Sequence, residues 1–235
     1  SLGQAAASTN VVTETRVNAG ANLEHIKFQD QSLNAIHLAS LHSELSDDAR
    51  YAFHSFALGA RLSRNNLRMR LAKPGIECVL NGLYMTRANQ LADHHMIVDH
   101  AAPHCDSHEY FNGILDDQSR GVFHGRILVQ PVAQKTDAKQ TNKKLILSDN
   151  ATANTKPQLE IYADDVKCTH GATIGEMDDD AIFYLRARGL DTKTARRMLM
   201  HGFAGEIVDR IQHDGIREEL DELVWNRLEG EHHLD

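Results

Sequence analysis

The stretch IECVLNGLYMT, residues 76–86, decides how the chain is read. Asn-Gly is the strongest short-range signal for a two-residue hairpin turn. Yet Asn81-Gly82 lies inside an apolar run, and so does the other Asn-Gly pair, at Asn112. Around this stretch lie further short strand candidates, among them VVTETRV (11–17), LEHIKF (23–28), AIHLASLH (35–42), RYAFHSFALG (50–59), NLRMRLA (66–72), HHMIVDHA (94–101), GVFHGRILV (121–129), KLILS (144–148) and QLEIYAD (158–164). They recur about every ten to twelve residues, with Asn, Asp and Gly between them. In one of them Leu23, His25 and Lys27 alternate with Glu24, Ile26 and Phe28, the pattern of a strand with one buried face. Even spacing suits a sandwich or a solenoid, but neither Asn-Gly pair punctuates successive strands as a sandwich would need. The pattern therefore favours a parallel β-helix over residues 1–175, in which each coil buries its inward face on its neighbours.

Beyond Gly175 the character changes. Residues 178–188, DDDAIFYLRAR, open acidic, close basic and run into Gly189, the charge order and stop signal of a short helix. Asp191 is placed to cap a second helix in which Ala195, Met198, Leu199, Phe203, Ile207 and Ile211 fall near helical spacing. A third is expected over residues 216–228, with Leu220, Leu223, Val224 and Leu228 on one side. Residues 176–235 thus form a small helical domain in this reading.

Composition narrows the function. The 235 residues are 41% hydrophobic and 25% charged, which is ordinary for a folded protein, and their net charge of −8 supplies no basic footprint for nucleic acid. No apolar run approaches the roughly 20 residues of a membrane helix. The start, SLGQAAAST, lacks the basic and apolar segments of a signal peptide, and the missing initiator Met points to a partial chain. Cys78, Cys105 and Cys168 are scattered and odd in number, which fits reduced thiols and a cytoplasmic location. There is no GxxxxGK[ST], GxGxxG, GxSxG or HExxH, so nothing announces an ATPase, dehydrogenase, hydrolase or metalloprotease.

Two places carry candidate chemistry. Of 15 histidines, five stand in DHHMIVDHAAPHCDSH, residues 93–108, where His94, His95, Asp99, His100, His104, Cys105, Asp106 and His108 are competent metal ligands. Their spacing matches no closed zinc motif and a strand would split them between two faces, so they read as polar groups on a strand rim and turn. The sharper pair is Cys168 and His170 in KCTHGATIG, residues 167–175. Two apart on a strand, they share a face. Thiolate and imidazole suit iron, zinc or copper, but two ligands do not complete a site, so the rest must come from elsewhere, such as a partner subunit. A Cys168 nucleophile with His170 as base is the enzymatic alternative; a buried cysteine beside a surface histidine is the plain structural one.

From PHCDSHEYFNGILDD (103–117) through KCTHGATIGEMDDDAIFYLRARGLDTKTARRMLMHGF (167–203), the chain resembles the SufB and SufD iron-sulfur cluster assembly family, and within it the SufD type. LEHIKFQ (23–29) and FALGARLSRNNLRMRL (56–71) extend the likeness to most of the chain. The resemblance implies a right-handed parallel β-helix followed by carboxy-terminal helices, and a non-enzymatic scaffold. It implies pairing with SufB near the β-helix ends and docking of the ATPase SufC on the helices; the strand edges exposed at an unpaired β-helix end would favour a homodimer when the chain is isolated. Cys168 and His170 match the family's KCxHG positions, which implies that they help hold iron or a nascent cluster, transiently and shared with SufB. Family members carry an amino-terminal helical part before the β-helix, whereas this chain begins within the core.

Overall fold

A computed structural model describes residues 6–229. Twelve strands form two six-stranded sheets, all of whose pairings are parallel. The odd-numbered sheet runs in the order β1 (Ser8–Val17), β3 (Ile36–Leu45), β5 (Leu62–Leu71), β7 (Leu91–His100), β9 (Arg120–Val129), β11 (Thr152–Ile161). Opposite it run β2 (Asn22–Gln29), β4 (Arg50–Ala57), β6 (Glu77–Thr86), β8 (Asp106–Leu115), β10 (Asp137–Ile146) and β12 (Lys167–Glu176). The chain winds alternately through the two, a solenoid of six coils. Three helices follow: α1 (Asp179–Arg186), α2 (Thr192–Val208) and α3 (Asp214–Glu229). The expected parallel β-helix with trailing helices is the architecture observed.

Turns as well as strands stack from coil to coil. Gly20, Asp48, Gly75, His104 and Lys135 each occupy the corner between an odd strand and the following even one, and each has positive φ. Their amides bond to carbonyls of the next corner, as in Asp48 N–H to Pro74 O at 3.0 Å and His104 N–H to Gln134 O at 2.9 Å. That repeated bonding holds non-glycine residues in a left-handed conformation they otherwise avoid. It also explains why so few corners announce themselves by glycine.

The odd sheet shows its outer face to solvent and alternates cleanly, as in β3 and β5. The middle of the even sheet, β4, β6 and β8, is buried on both faces. Its inward rows join Tyr51, Phe53, Cys78, Leu80 and Phe111 to Met69, Met96 and Phe123 of the odd sheet. Its outward rows, with Phe56, Leu83, Met85 and Ile114, pack beneath Met200, Ala204, Ile207, Val224 and Leu228 of α2 and α3. The helices begin where expected: Asp178 accepts from the amides of Asp180 and Ala181, and Asp191 from that of Thr194. They are tied to the sheet by Asn112, whose Nδ2 donates to Phe203 O at 2.9 Å, and by the Lys143–Glu206 pair at 2.7 Å.

Burial on both sides accounts for the unbroken run in IECVLNGLYMT. Gly82 is not in a turn: it lies in mid-strand in register with Phe111, whose ring covers it, and Gly113 lies under the ring of Tyr84. A Cβ at either glycine would run into the ring. β8 escaped the expected strands because its inward row, Ser107, Glu109, Phe111, Gly113 and Leu115, mixes polar and apolar groups.

The interior is unusually polar between its apolar layers. Glu109 is fully buried; Gln140 Nε2 donates to it at 2.6 Å, and desolvation pushes its carboxyl up to about 8. Burial also lowers Lys27 and Lys144 to about 8 and His94 to about 3.

Two predictions follow from this interior. Gly82→Ala will destabilise the fold by about 1–3 kcal/mol in chemical denaturation, the cost of overpacking a filled core. Pairing it with Phe111→Leu will cost less than the sum of the two single changes; strict additivity would contradict the ring-over-glycine contact. The second concerns pH. Between about 6.5 and 8, Glu109 keeps its proton when folded but has lost it when unfolded, so at this group the unfolded state binds fewer protons and its contribution to stability falls as pH rises. The buried histidines, lowered below their ordinary 6.5, and Lys27 and Lys144, lowered to about 8, act in the opposite direction at the two ends of this window, so the Glu109 contribution is read as a difference between variants. The melting temperature of Glu109→Gln minus that of wild type should therefore rise from pH 6.5 to 8; a difference that stays constant with pH would contradict the protonated Glu109.

Candidate functional site

The last coil consists of β11 and β12, each the terminal strand of its sheet. Parallel pairing puts register partners on the same side of a sheet. Cys168 pairs with Ala138 and His170 with Gln140, both buried in the interior, so Cys168 and His170 belong to the inward row. Among the described residues no further strand stacks on them, and the inward row therefore lines the rim of an open mouth. Cys168 is half-buried against the apolar cluster of Ile127, Val129, Ala138 and Ala163, whereas His170 is exposed. Farther along the same rim stand Ile174, 53% exposed, and, at the end of β11, Ile161 and Tyr162.

The structure thus places the two expected site residues on one face, and no hydrogen bond joins them. Burial, with Asp137 adding repulsion, raises the Cys168 thiol above its ordinary value, while the backbone at Ala138 opposes the shift. A nucleophilic cysteine needs the opposite direction. Among the described residues no three His, Cys, Asp or Glu side chains converge as a metal site. Space beside Gly171 is open: a side chain there would meet nothing within 4 Å.

Beneath His170 the same inward column continues with Gln140 and then Glu109. Nearby, Lys144 Nζ donates to Asn154 O at 2.8 Å and bonds to Thr155. Sequence reading missed this polar floor, since Glu109 and Gln140 are far apart in the chain. Only the coil length, 31 residues between them, stacks one on the other.

The histidine-rich stretch does not form one site. His94 points inward, stacked on Tyr84 with ring centroids 5.1 Å apart, and His95 points outward, paired with Asp93 at 2.9 Å. His100 is buried and bonded to Ser107 at 2.9 Å. His104 occupies a corner with positive φ, Cys105 donates its S–H to Lys73 O at 3.2 Å, and His108 lies beside Tyr110 on the outer face of the even sheet.

Comparison with known proteins agrees with this architecture. Residues 1–203 match the family model described as SUF system FeS cluster assembly, SufBD core domain. The chain is 37% identical over 230 residues to the iron-sulfur cluster assembly protein SufD of Escherichia coli, a match covering 98% of this chain and 54% of that protein. An iron-sulfur cluster assembly SufBD family protein of Synechocystis is 39% identical over 202 residues, 86% of this chain and 45% of the relative. A chloroplastic protein of Arabidopsis thaliana, ABCI7, is 34% identical over 214 residues, 90% of this chain and 45% of the relative. The chain therefore spans about half the length of the curated relatives it matches. With a SufBD core match over most of its length and a two-sheet parallel solenoid ending in the KCTHG strand, this chain belongs to the SufBD family of the SUF iron-sulfur cluster assembly system and is of the SufD type.

Proposed function

We propose that this chain acts as a non-enzymatic scaffold in iron-sulfur cluster assembly, pairing with SufB at the open mouth and contributing His170 and Cys168 to iron or a nascent cluster held between the two proteins. The observation that carries this is the position of the pair on the inward row of β12, an edge strand that pairs with β10 on one side only among the described residues. A site with one exposed imidazole and one half-buried thiol has too few ligands to retain a cluster. A second subunit that supplies the rest can also open the site by moving. The unpaired edges and the exposed Ile161, Tyr162 and Ile174 give that subunit both hydrogen-bonding groups and apolar surface. The same rim supports self-pairing of isolated chains. The raised Cys168 thiol weighs against the transferase reading.

The helices supply the second half of the proposal, the docking of the ATPase SufC. Phe183, 73% exposed, and Tyr184 stand outward on α1, away from the cluster that α2 and α3 share with the sheet. Removing all residues after Gly175 would uncover Phe56, Leu83, Met85 and Ile114, so surface substitution is the cleaner probe.

In anaerobic reconstitution with iron and sulfide, His170→Ala in an intact complex is expected to lower cluster yield by about tenfold or more. Cys168→Ser is expected to have a smaller effect. Unchanged yield in both, with assembly retained, would leave the purely structural partner of SufB as the correct reading. Phe183→Asp combined with Tyr184→Ser should reduce SufC co-purification while leaving the melting temperature within a few degrees of wild type; full retention of SufC would remove α1 from the docking surface.

A further inference from the structure

The outer face of the odd sheet carries a groove of about 350 Å³ that plays no part in the mouth. Two outward columns build it. Arg68, Ile97 and Arg126 are successive register partners on β5, β7 and β9, and His95 and His124 are partners in the column alongside. His42 closes one end. None of the lining residues is acidic, although the chain as a whole bears a net charge of −8.

The charges are arranged as well as concentrated. Coils lie about 4.8 Å apart, so Arg68 and Arg126 emerge roughly 10 Å from one another on either side of Ile97. Arg68 is exposed and makes no ion pair among the described residues. Arg126 reaches Glu160 at 3.4 Å, a contact at the groove's edge that Gln158 also makes, at 2.6 Å. The His95 and His124 rings meet edge to face at 5.2 Å; His95 is held from outside the groove by Asp93, and His124 Nε2 is shielded from solvent with no partner among the described residues. Guanidinium groups match phosphate oxygens in pairs of parallel hydrogen bonds, and two of them approaching from opposite sides suit neighbouring oxyanion groups. A divalent cation does not fit a lining with two arginines and no carboxylate.

We propose that this groove is a binding site for a small anion of the diphosphate type, gripped by Arg68 and Arg126 across Ile97, with the imidazoles of His95 and His124 along one flank. The site is independent of the mouth and of the role assigned to it.

Isothermal titration of the full chain with inorganic pyrophosphate at fixed ionic strength tests this. Saturable one-to-one binding is expected, weakened at least about tenfold by Arg68→Ser with Arg126→Ser and unaffected by Arg87→Ser. Arg68→Lys keeps the charge but not the fork, so it should give an intermediate loss and remains informative if the double variant is poorly folded. Absence of saturable binding by wild type, or equal affinity of wild type and Arg68→Lys, would overturn the proposal. So would sulfate binding as tightly as pyrophosphate, because two neighbouring oxyanion groups offer the two guanidiniums more charge and more paired oxygens than one tetrahedral anion does.

Discussion

Everything in this molecule depends on register between coils. Parallel pairing sets each residue about 4.8 Å from the residue one coil away and on the same side of the sheet, so positions roughly thirty apart in sequence become vertical neighbours. A column is then the unit of packing. Aromatic rings lie over glycines in the columns through Gly82 and Gly113, and corners repeat their left-handed residue from Gly20 to Lys135. A one-residue slip in the odd sheet would turn its inward row outward, carrying Met96 and Phe123 to the solvent face.

The same constraint shapes the candidate site. His170 is positioned by its register with Gln140, and through Gln140 by Glu109, so the exposed imidazole stands at the top of a buried polar column. Beneath the rim the interior resists charge, keeping Glu109 protonated at neutral pH and raising the Cys168 thiol. This is an environment that favours neutral groups within. The proposed assembly role would use two properties of the solenoid: a rim whose last strands each keep one edge unpaired among the described residues, and helices held to one sheet by a common apolar cluster.

Two surfaces of the solenoid differ because only one is covered. The middle of the even sheet lies under α2 and α3, and β6 there reads as a continuous apolar run; the odd sheet faces solvent, and strands such as β5 alternate. On that bare face the columns bring Arg68, His95, His124 and Arg126 from three coils into one groove. Such convergence is a property of stacking rather than of any local motif.

By itself the sequence determined the class of the fold and the ends of its helices. Misplaced Asn-Gly pairs, evenly spaced short strands, the acidic helix start from Asp178 and the cap Asp191 are local features, governed by backbone conformation and short-range bonding, and they were legible for that reason. It also singled out Cys168 and His170 as side chains sharing a face, because alternation along a strand is local. What only the tertiary structure decided was which face turns inward. In β2 the inward row is Leu23, His25 and Lys27, with a buried lysine, while Ile26 packs on the helix side, the reverse of what hydrophobicity alone would choose. The polar column under His170, the separation of His94 from His95 and the arginine groove were equally hidden. Each depends on coil length, which varies from 26 residues between Ile36 and Leu62 to 32 between Arg120 and Thr152, and such a variable spacing leaves no repeat for a sequence pattern to reveal.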